Sequence, residues 1–165
     1  MDIKDMFLSH HLWAQSDGKS GRKLEIVKKE IRELNLTEIN LDETNLSECI
    51  LSKTVFDHAL KNSILRNRLG IKASFADADL SFADLSGSDM RRASFRRANL
   101  SHANFYNVDL TSAIFDGALL YGTSFKDAKG IGEVSVQYIF VGTEDEPIKL
   151  EGDNIQKWLL GLRKE

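Results

Sequence analysis

Large apolar residues stand at every fifth place over a long central stretch: Phe75, Leu80, Leu85, Met90, Phe95, Leu100, Phe105, Leu110, Phe115, Leu120 and Phe125. No regular element has that period. On a helix five residues rotate the face by about 140°, so these anchors would spiral around the axis. On a strand an odd spacing sends successive side chains to opposite faces. The anchors share a core only if the chain turns a corner once per repeat. A chain that keeps turning the same way becomes a stacked coil, the solenoid pattern.

The other places of the repeat are also regular. Two residues before each anchor stands a small or modest residue, as in Ala73, Ala78, Ala83, Ser88, Ala93, Ala98, Ala103 and Ala113. Between them often lies Asp or Asn: Asp79, Asp84, Asp89, Asn99, Asn104 and Asp109. Such short polar side chains bond nearby backbone at turns. The motif resembles that of the pentapeptide-repeat family: a small residue, Asp or Asn, Leu or Phe, then two polar or small residues. The match is dense over 73–127 and looser over 24–72. The resemblance implies an all-β solenoid, a right-handed quadrilateral β-helix with four repeats per coil.

Spacing tests the figure of four. Phe75, Phe95 and Phe115 are twenty apart, and so are Leu80, Leu100 and Leu120. Earlier anchors run Ile26, Ile31, Leu36, Leu41, Leu46, Leu51 and Phe56, and the step to Leu60 is one residue short. That single slip extends the Phe column to Phe56 and the Leu column to Leu60 and Leu41. Gly70 leaves one anchor place empty, and a bulge or local loop is expected there. About five coils result, a rod of about 25 Å at the usual strand spacing. The expected organisation is an N-terminal helix and loop over 1–20, the β-helix over 21–130 with irregularity near 57–72, and a C-terminal strand and helix over 131–165.

Both ends read as closures of the open coil. Residues 2–14 fit a helix with Ile3, Met6, Phe7 and His10 on one face. In "EVSVQYIFVG", alternation places Val134, Val136, Tyr138 and Phe140 on one side. "TEDEP" reads as a turn, and "DNIQKWLLGLRKE" as a helix with Asp153 as N-cap. Ile155, Trp158, Leu159 and Leu162 form an apolar stripe at helical spacing. The stripe either folds onto the last coil or joins two copies. The fold onto the last coil is the leading expectation; members of the resembled family that bind topoisomerases dimerise through this end, which supports a homodimer by analogy.

No catalytic, cofactor or metal site is legible. His10 and His11 point to different sides of one helix, and His58 and His102 fall at outward places. Cys49, the one cysteine, occupies an inward place and fits a reducing, cytoplasmic setting. "GKS" after Trp13 lacks the first glycine of a phosphate loop. The chain is 42% hydrophobic and 28% charged, as soluble domains are. Its formal net charge is −3, and no apolar run is long enough for a membrane span.

Function is therefore expected on the outside of the rod. Glu33, Glu38, Asp42, Glu43 and Glu48 crowd the first coil. Arg91, Arg92, Arg96 and Arg97 crowd a later one, with Lys53 and Lys72 below Arg92. That bipolar pattern is either an ordinary soluble surface or a docking patch for an acidic partner. Phe82, His102, Tyr106 and Tyr121 are candidate aromatic anchors. The leading expectation is a non-enzymatic protein-binding module without cofactor. The alternative is a DNA-mimicking protector of a type II topoisomerase, as in the family's quinolone-resistance members. Against it stand the low net charge and the arginines. Direct nucleic-acid binding is a weaker third reading, since the arginines lack interleaved exposed aromatics.

Overall fold

The computed structural model describes residues 3–36, 39–46, 49–56, 60, 62–66 and 69–161. Through most of that length the chain returns upon itself every twenty residues. Parallel bridges join Asp84 to Asn104, Asp89 to Asp109, Ser74 to Ser94, and Asp79 to Asn99. These pairs belong to four columns, and each column is one side of the stack. The bridges carry paired backbone bonds: between Ser94 and Ile114, Phe95 N donates to Ile114 O at 2.8 Å and Ile114 N to Ala93 O at 2.9 Å.

The corners have a local cause. Two residues after each anchor the backbone takes positive φ: 61° at Lys72, 62° at Asp77, 60° at Phe82, 60° at Arg92 and 58° at His102. This conformation costs an L-residue about 1–2 kcal/mol and excludes β-branched side chains most strongly. None of the described repeat positions at positive φ is Val, Ile or Thr. The Asp and Asn residues brace the turn. Asp79 Oδ1 accepts from Ser81 N at 2.9 Å, Asn104 Oδ1 from Tyr106 N at 3.0 Å and Asp109 Oδ1 from Thr111 N at 3.0 Å.

The anchors fill the interior. Phe56, Phe75, Phe95 and Phe115 stack in one column, with ring centroids 5.1, 5.3 and 5.0 Å apart. The one-residue slip is absorbed without loss of register. Asn35 pairs with Val55, twenty residues on; Asn45 pairs with Ile64 and Val55 with Ser74, nineteen on; Ile64 and Asp84 are again twenty apart. The expected bulge at Gly70 is not found. Leu69 bridges Asp89, and Gly70 N donates to Asp89 O at 2.8 Å in the ordinary pattern. The empty place is occupied from the next turn: a Cβ on Gly70 would fall on Met90 Sδ and lie 3.0 Å from its Cε. Of the stretch 57–72 expected to be irregular, residues 57–59, 61, 67 and 68 lie outside the described residues.

Polar residues at inward places find main-chain acceptors. Ser88 Oγ donates to Leu65 O at 2.8 Å, Thr123 Oγ1 to Leu100 O at 2.7 Å and Cys49 Sγ to Ile26 O at 3.2 Å. Each acceptor lies 23 residues back. Ser63 Oγ is buried without a partner among the described residues. The acceptor at the equivalent place, Leu41 O, already takes the Thr44 hydroxyl at 2.8 Å.

At the N-terminal end, helix α1 (Ile3–Gln15) buries Phe7 and His10. At the other end a 3₁₀ turn, Ile131–Glu133, adds one residue, so that Ser135 pairs with Ile114. Strand β1 (Tyr138–Gly142) follows and pairs antiparallel with β2 (Pro147–Glu151). Helix α2 (Asp153–Gly161) comes last. Three expectations are corrected here. Val134 and Val136 face inward, but beyond them Ile139 and Val141 do so, while Tyr138 and Phe140 are only half-buried. The five-residue period continues through this segment, and the corner between Val136 and Ile139 reverses the phase of a straight strand. The segment "PIKLE" is a strand that pattern reading missed, because the stretch before it was read only as a turn leading to a helix. Asp153 lies inside the first turn of α2, where an N-cap would precede it.

Candidate functional site

Of the four arginines, three are engaged by carboxylates of the same chain. Arg91 grips Asp89 with two bonds of 2.8 and 2.7 Å and approaches Asp109 at 3.9 Å. Arg97 grips Asp77 with bonds of 2.7 and 2.6 Å, and Arg96 meets Asp116 at 3.2 Å. These arginine bonds hold the Asp77 and Asp89 carboxyls below the usual aspartate range. Arg92 has no ion pair with any described residue.

The expected acidic-to-basic gradient along the rod is therefore corrected. Charges of opposite sign are matched one turn apart. Lys23 pairs with Glu43 at 2.9 Å and Lys53 with Glu33 at 2.7 Å, each twenty residues away like Asp77–Arg97 and Arg96–Asp116. Stacking at twenty-residue intervals brings these side chains together, so exposed ladders form where the sequence suggested separate patches. Glu38, Glu48 and His58 lie outside the described residues.

The aromatic candidates divide. Phe82 is 53% exposed and Tyr106 48% exposed. His102 is exposed and stacks on Phe82, with centroids 4.8 Å apart and planes 15° apart. Gly122 follows in the same column with φ +61°; a Cβ there would come within 2.6 Å of His102 Nδ1. Glycine thus leaves room for the imidazole. Tyr121 is buried, in line with the buried Ser81 and Ser101 of its column, and offers no exposed ring. Between the Phe82–His102 corner and Tyr106 lies a polar strip. There Asn104 Nδ2 donates to Asp84 Oδ1 at 3.1 Å, and Arg66 Nε stands 3.4 Å from Asp84 Oδ2.

The C-terminal stripe packs within the chain. Ile155 and Leu159 are buried, and Trp158 meets Phe125 edge-on with centroids 6.4 Å apart. Phe115, Leu120, Phe125, Ile131, Ile155 and Leu159 are among the lining of a small apolar cavity between the last turn and α2. The Ile155 and Leu159 side chains are thereby covered, and a second copy could not also use them. Leu162 lies outside the described residues.

A structural role that pattern reading missed belongs to the N-terminal histidines. His10 Nδ1 accepts from Leu24 N at 2.9 Å, its Nε2 bonds Asp42 O at 3.0 Å, and His11 Nδ1 accepts from Asn40 N at 2.9 Å. Their adjacency excluded a shared metal, and nothing in the repeat pattern marked them as backbone ligands. Among the described residues no group of three His, Cys, Asp or Glu could hold a metal ion, and no helix is long and apolar enough to cross a membrane.

The family model for pentapeptide repeats matches residues 32–67, 73–111 and 103–129, over half of the chain. The chain belongs to the pentapeptide-repeat family. That membership implies the right-handed β-helix and accounts for the four columns. Solved structures similar to this pentapeptide-repeat chain include Rfr23 from the cyanobacterium Cyanothece 51142, at 22% identity and TM-score 0.45, covering 68% of this chain and 87% of that one. A thylakoid-lumen pentapeptide-repeat protein of Arabidopsis thaliana is 29% identical with TM-score 0.29, covering 72% of this chain and 70% of its own. QnrB1, a plasmid-mediated fluoroquinolone resistance protein, is 14% identical with TM-score 0.36, covering 70% of this chain and 90% of its own. No curated protein matches the sequence.

Proposed function

We propose that this chain is a non-enzymatic protein-binding module: a rod of about five coils, closed by α1 at one end and by β1, β2 and α2 at the other. It binds through its outer sides. Phe82, His102 and Tyr106 flank the docking side, with Asp84 and Asn104 between them. Phe82 carries the reading, being a large exposed ring at a corner place where every other described residue at positive φ is polar or glycine.

The test compares immobilised wild type with the Phe82→Gly/Tyr106→Ser variant in capture of proteins from the source cell. Glycine suits the φ at position 82, so the fold should persist and melting should show it. Specific partners should be held by wild type and lost by the variant. Equal capture by both would contradict the reading.

The runner-up, a duplex-DNA mimic acting on DNA gyrase, requires an uncompensated acidic face. Here Glu33, Glu43, Asp77, Asp89 and Asp116 each stand against Lys or Arg. Purified protein is accordingly expected to leave gyrase supercoiling unchanged, with or without a quinolone. Inhibition or rescue would reverse the order of the two readings.

A further inference from the structure

Three of the four sides carry carboxylates at their centre. The bridged columns contain Glu25 and Asp84 on the first side, Glu30, Asp89 and Asp109 on the second, and Asp79 on the fourth. The third column reads Asn35, Val55, Ser74, Ser94, Ile114 and Ser135, without one charge. One of its edges is cationic over the middle turns, where Lys72 and Arg92 stand; on the other corner Arg97 and Arg96 alternate with Asp77 and Asp116.

The Lys72–Arg92 corner departs from the pairing of opposite charges seen at four other places, and unlike the bridged Asp89 and Asp109, which share Arg91, it has no counter-charge among the described residues. Both residues take positive φ, 61° and 60°, and both are exposed. They occupy equivalent places in consecutive turns, about 4.8 Å apart along the stack. Lys23–Glu43, Glu33–Lys53, Asp77–Arg97 and Arg96–Asp116 set opposite charges at this interval. Lys72 and Arg92 set like charges there, and neither has an ion pair with a described residue. Like charges directly opposite on neighbouring strands destabilise. Beside them, Ile71, Thr111 and Ser112 line a surface hollow together with Arg91 and Arg92. Arg97 holds Asp77 at an exposed site, where water screens the pair and an incoming carboxylate can share the guanidinium, whereas the Asp116 partner of Arg96 is mostly covered.

We propose that this third side docks an acidic segment of a partner protein, with Lys72 and Arg92 as its fixed cations and Ser74 and Ser94 beneath it. The inference rests on the protein-binding reading and assigns that reading a second side and a partner chemistry.

Fluorescence anisotropy with a labelled oligoglutamate peptide tests it, at low ionic strength and again at physiological salt. Wild type should bind, more weakly as salt rises. Lys72→Glu/Arg92→Glu should weaken binding about tenfold or more. Lys126→Glu, on the corner between the first and second sides, should change it less than about twofold at physiological salt. If the charge-reversed pair melts early, Lys72→Ser/Arg92→Ser must show the same loss. Equal binding by wild type and these variants, or no binding by wild type, would overturn the proposal. So would tighter binding of a labelled duplex DNA through the same residues, which would make the ligand a nucleic acid. Failure of the broader reading shows elsewhere, as unchanged capture by the Phe82→Gly/Tyr106→Ser variant.

Discussion

His10 Nδ1 accepts the backbone N–H of Leu24 at 2.9 Å, inside a fully buried contact between α1 and the first turn of the stack. In later turns such edge groups are satisfied by the preceding turn: Phe82 N donates to Ser101 O at 2.9 Å, and Asn99 N to Ala78 O at 2.9 Å. Asp42 O and Asn40 N occupy the places of Ser101 O and Asn99 N but have no turn before them. His10 Nε2 and His11 Nδ1 take over those bonds. The two rings thus substitute for a missing coil.

This bonding requires a neutral His10, with Nδ1 accepting and Nε2–H donating. Burial pushes the His10 pKa below its ordinary value, outweighing the Asp42 carbonyl bond that pulls it up; Lys23 and His11 lower it and Glu43 raises it by smaller amounts. The contribution is full above the unfolded imidazole value of about 6.5 and is lost as pH falls through the lower folded value, with a slope of at most about 1.4 kcal/mol per pH unit. The Asp77 and Asp89 contributions, whose pKa values are also depressed, are lost only at more acidic pH. Melting temperature should therefore fall just below pH 6.5 in wild type and stay flatter in His10→Gln. Parallel curves would contradict the role given to His10.

The Gly70–Met90 contact predicts coupled effects. Met90→Ala should cost about 2–5 kcal/mol, because it empties a place that no other side chain fills. Gly70→Ala should destabilise the wild type through collision with Met90, and should cost less in the Met90→Ala background. Denaturant melts of the four proteins should give a coupling of at least about 1 kcal/mol. Additive effects would mean that Met90 does not occupy the Gly70 space.

Ser63→Ala should stabilise the protein by about 1 kcal/mol, since the buried hydroxyl has no partner among the described residues and alanine suits the inward place. Chemical denaturation measures it. A loss of stability would show that Ser63 Oγ is hydrogen-bonded in solution.

The repeat made the interior legible. Phe56, Phe75, Phe95 and Phe115 could be stacked by arithmetic, because one corner per five residues leaves an anchor little choice of place. The slip at Leu60 was legible for the same reason, since one deletion realigned two columns at once. Gly70 was misread because an empty place in one repeat says nothing of what the next turn lends it. Tyr138 and Phe140 were misread because a strand period was applied where the five-residue corner still operated. The arginines could be assigned to corners, yet their charge state as a surface could not. The carboxylates of Asp77 and Asp116 lie twenty residues away, and only stacking makes them neighbours. His10 and His11 lie outside the repeat, and their bonds depend on how α1 docks.

Duplicating residues 73–112, two full turns of the chain, is the most direct test of a stack that repeats every twenty residues. Every column would remain in register, so the longer protein should unfold in one cooperative transition no less stable than wild type. Small-angle scattering should show it longer by about 10 Å at the strand spacing. Loss of cooperative unfolding, or a particle that gains volume without gaining length, would contradict the stacked architecture.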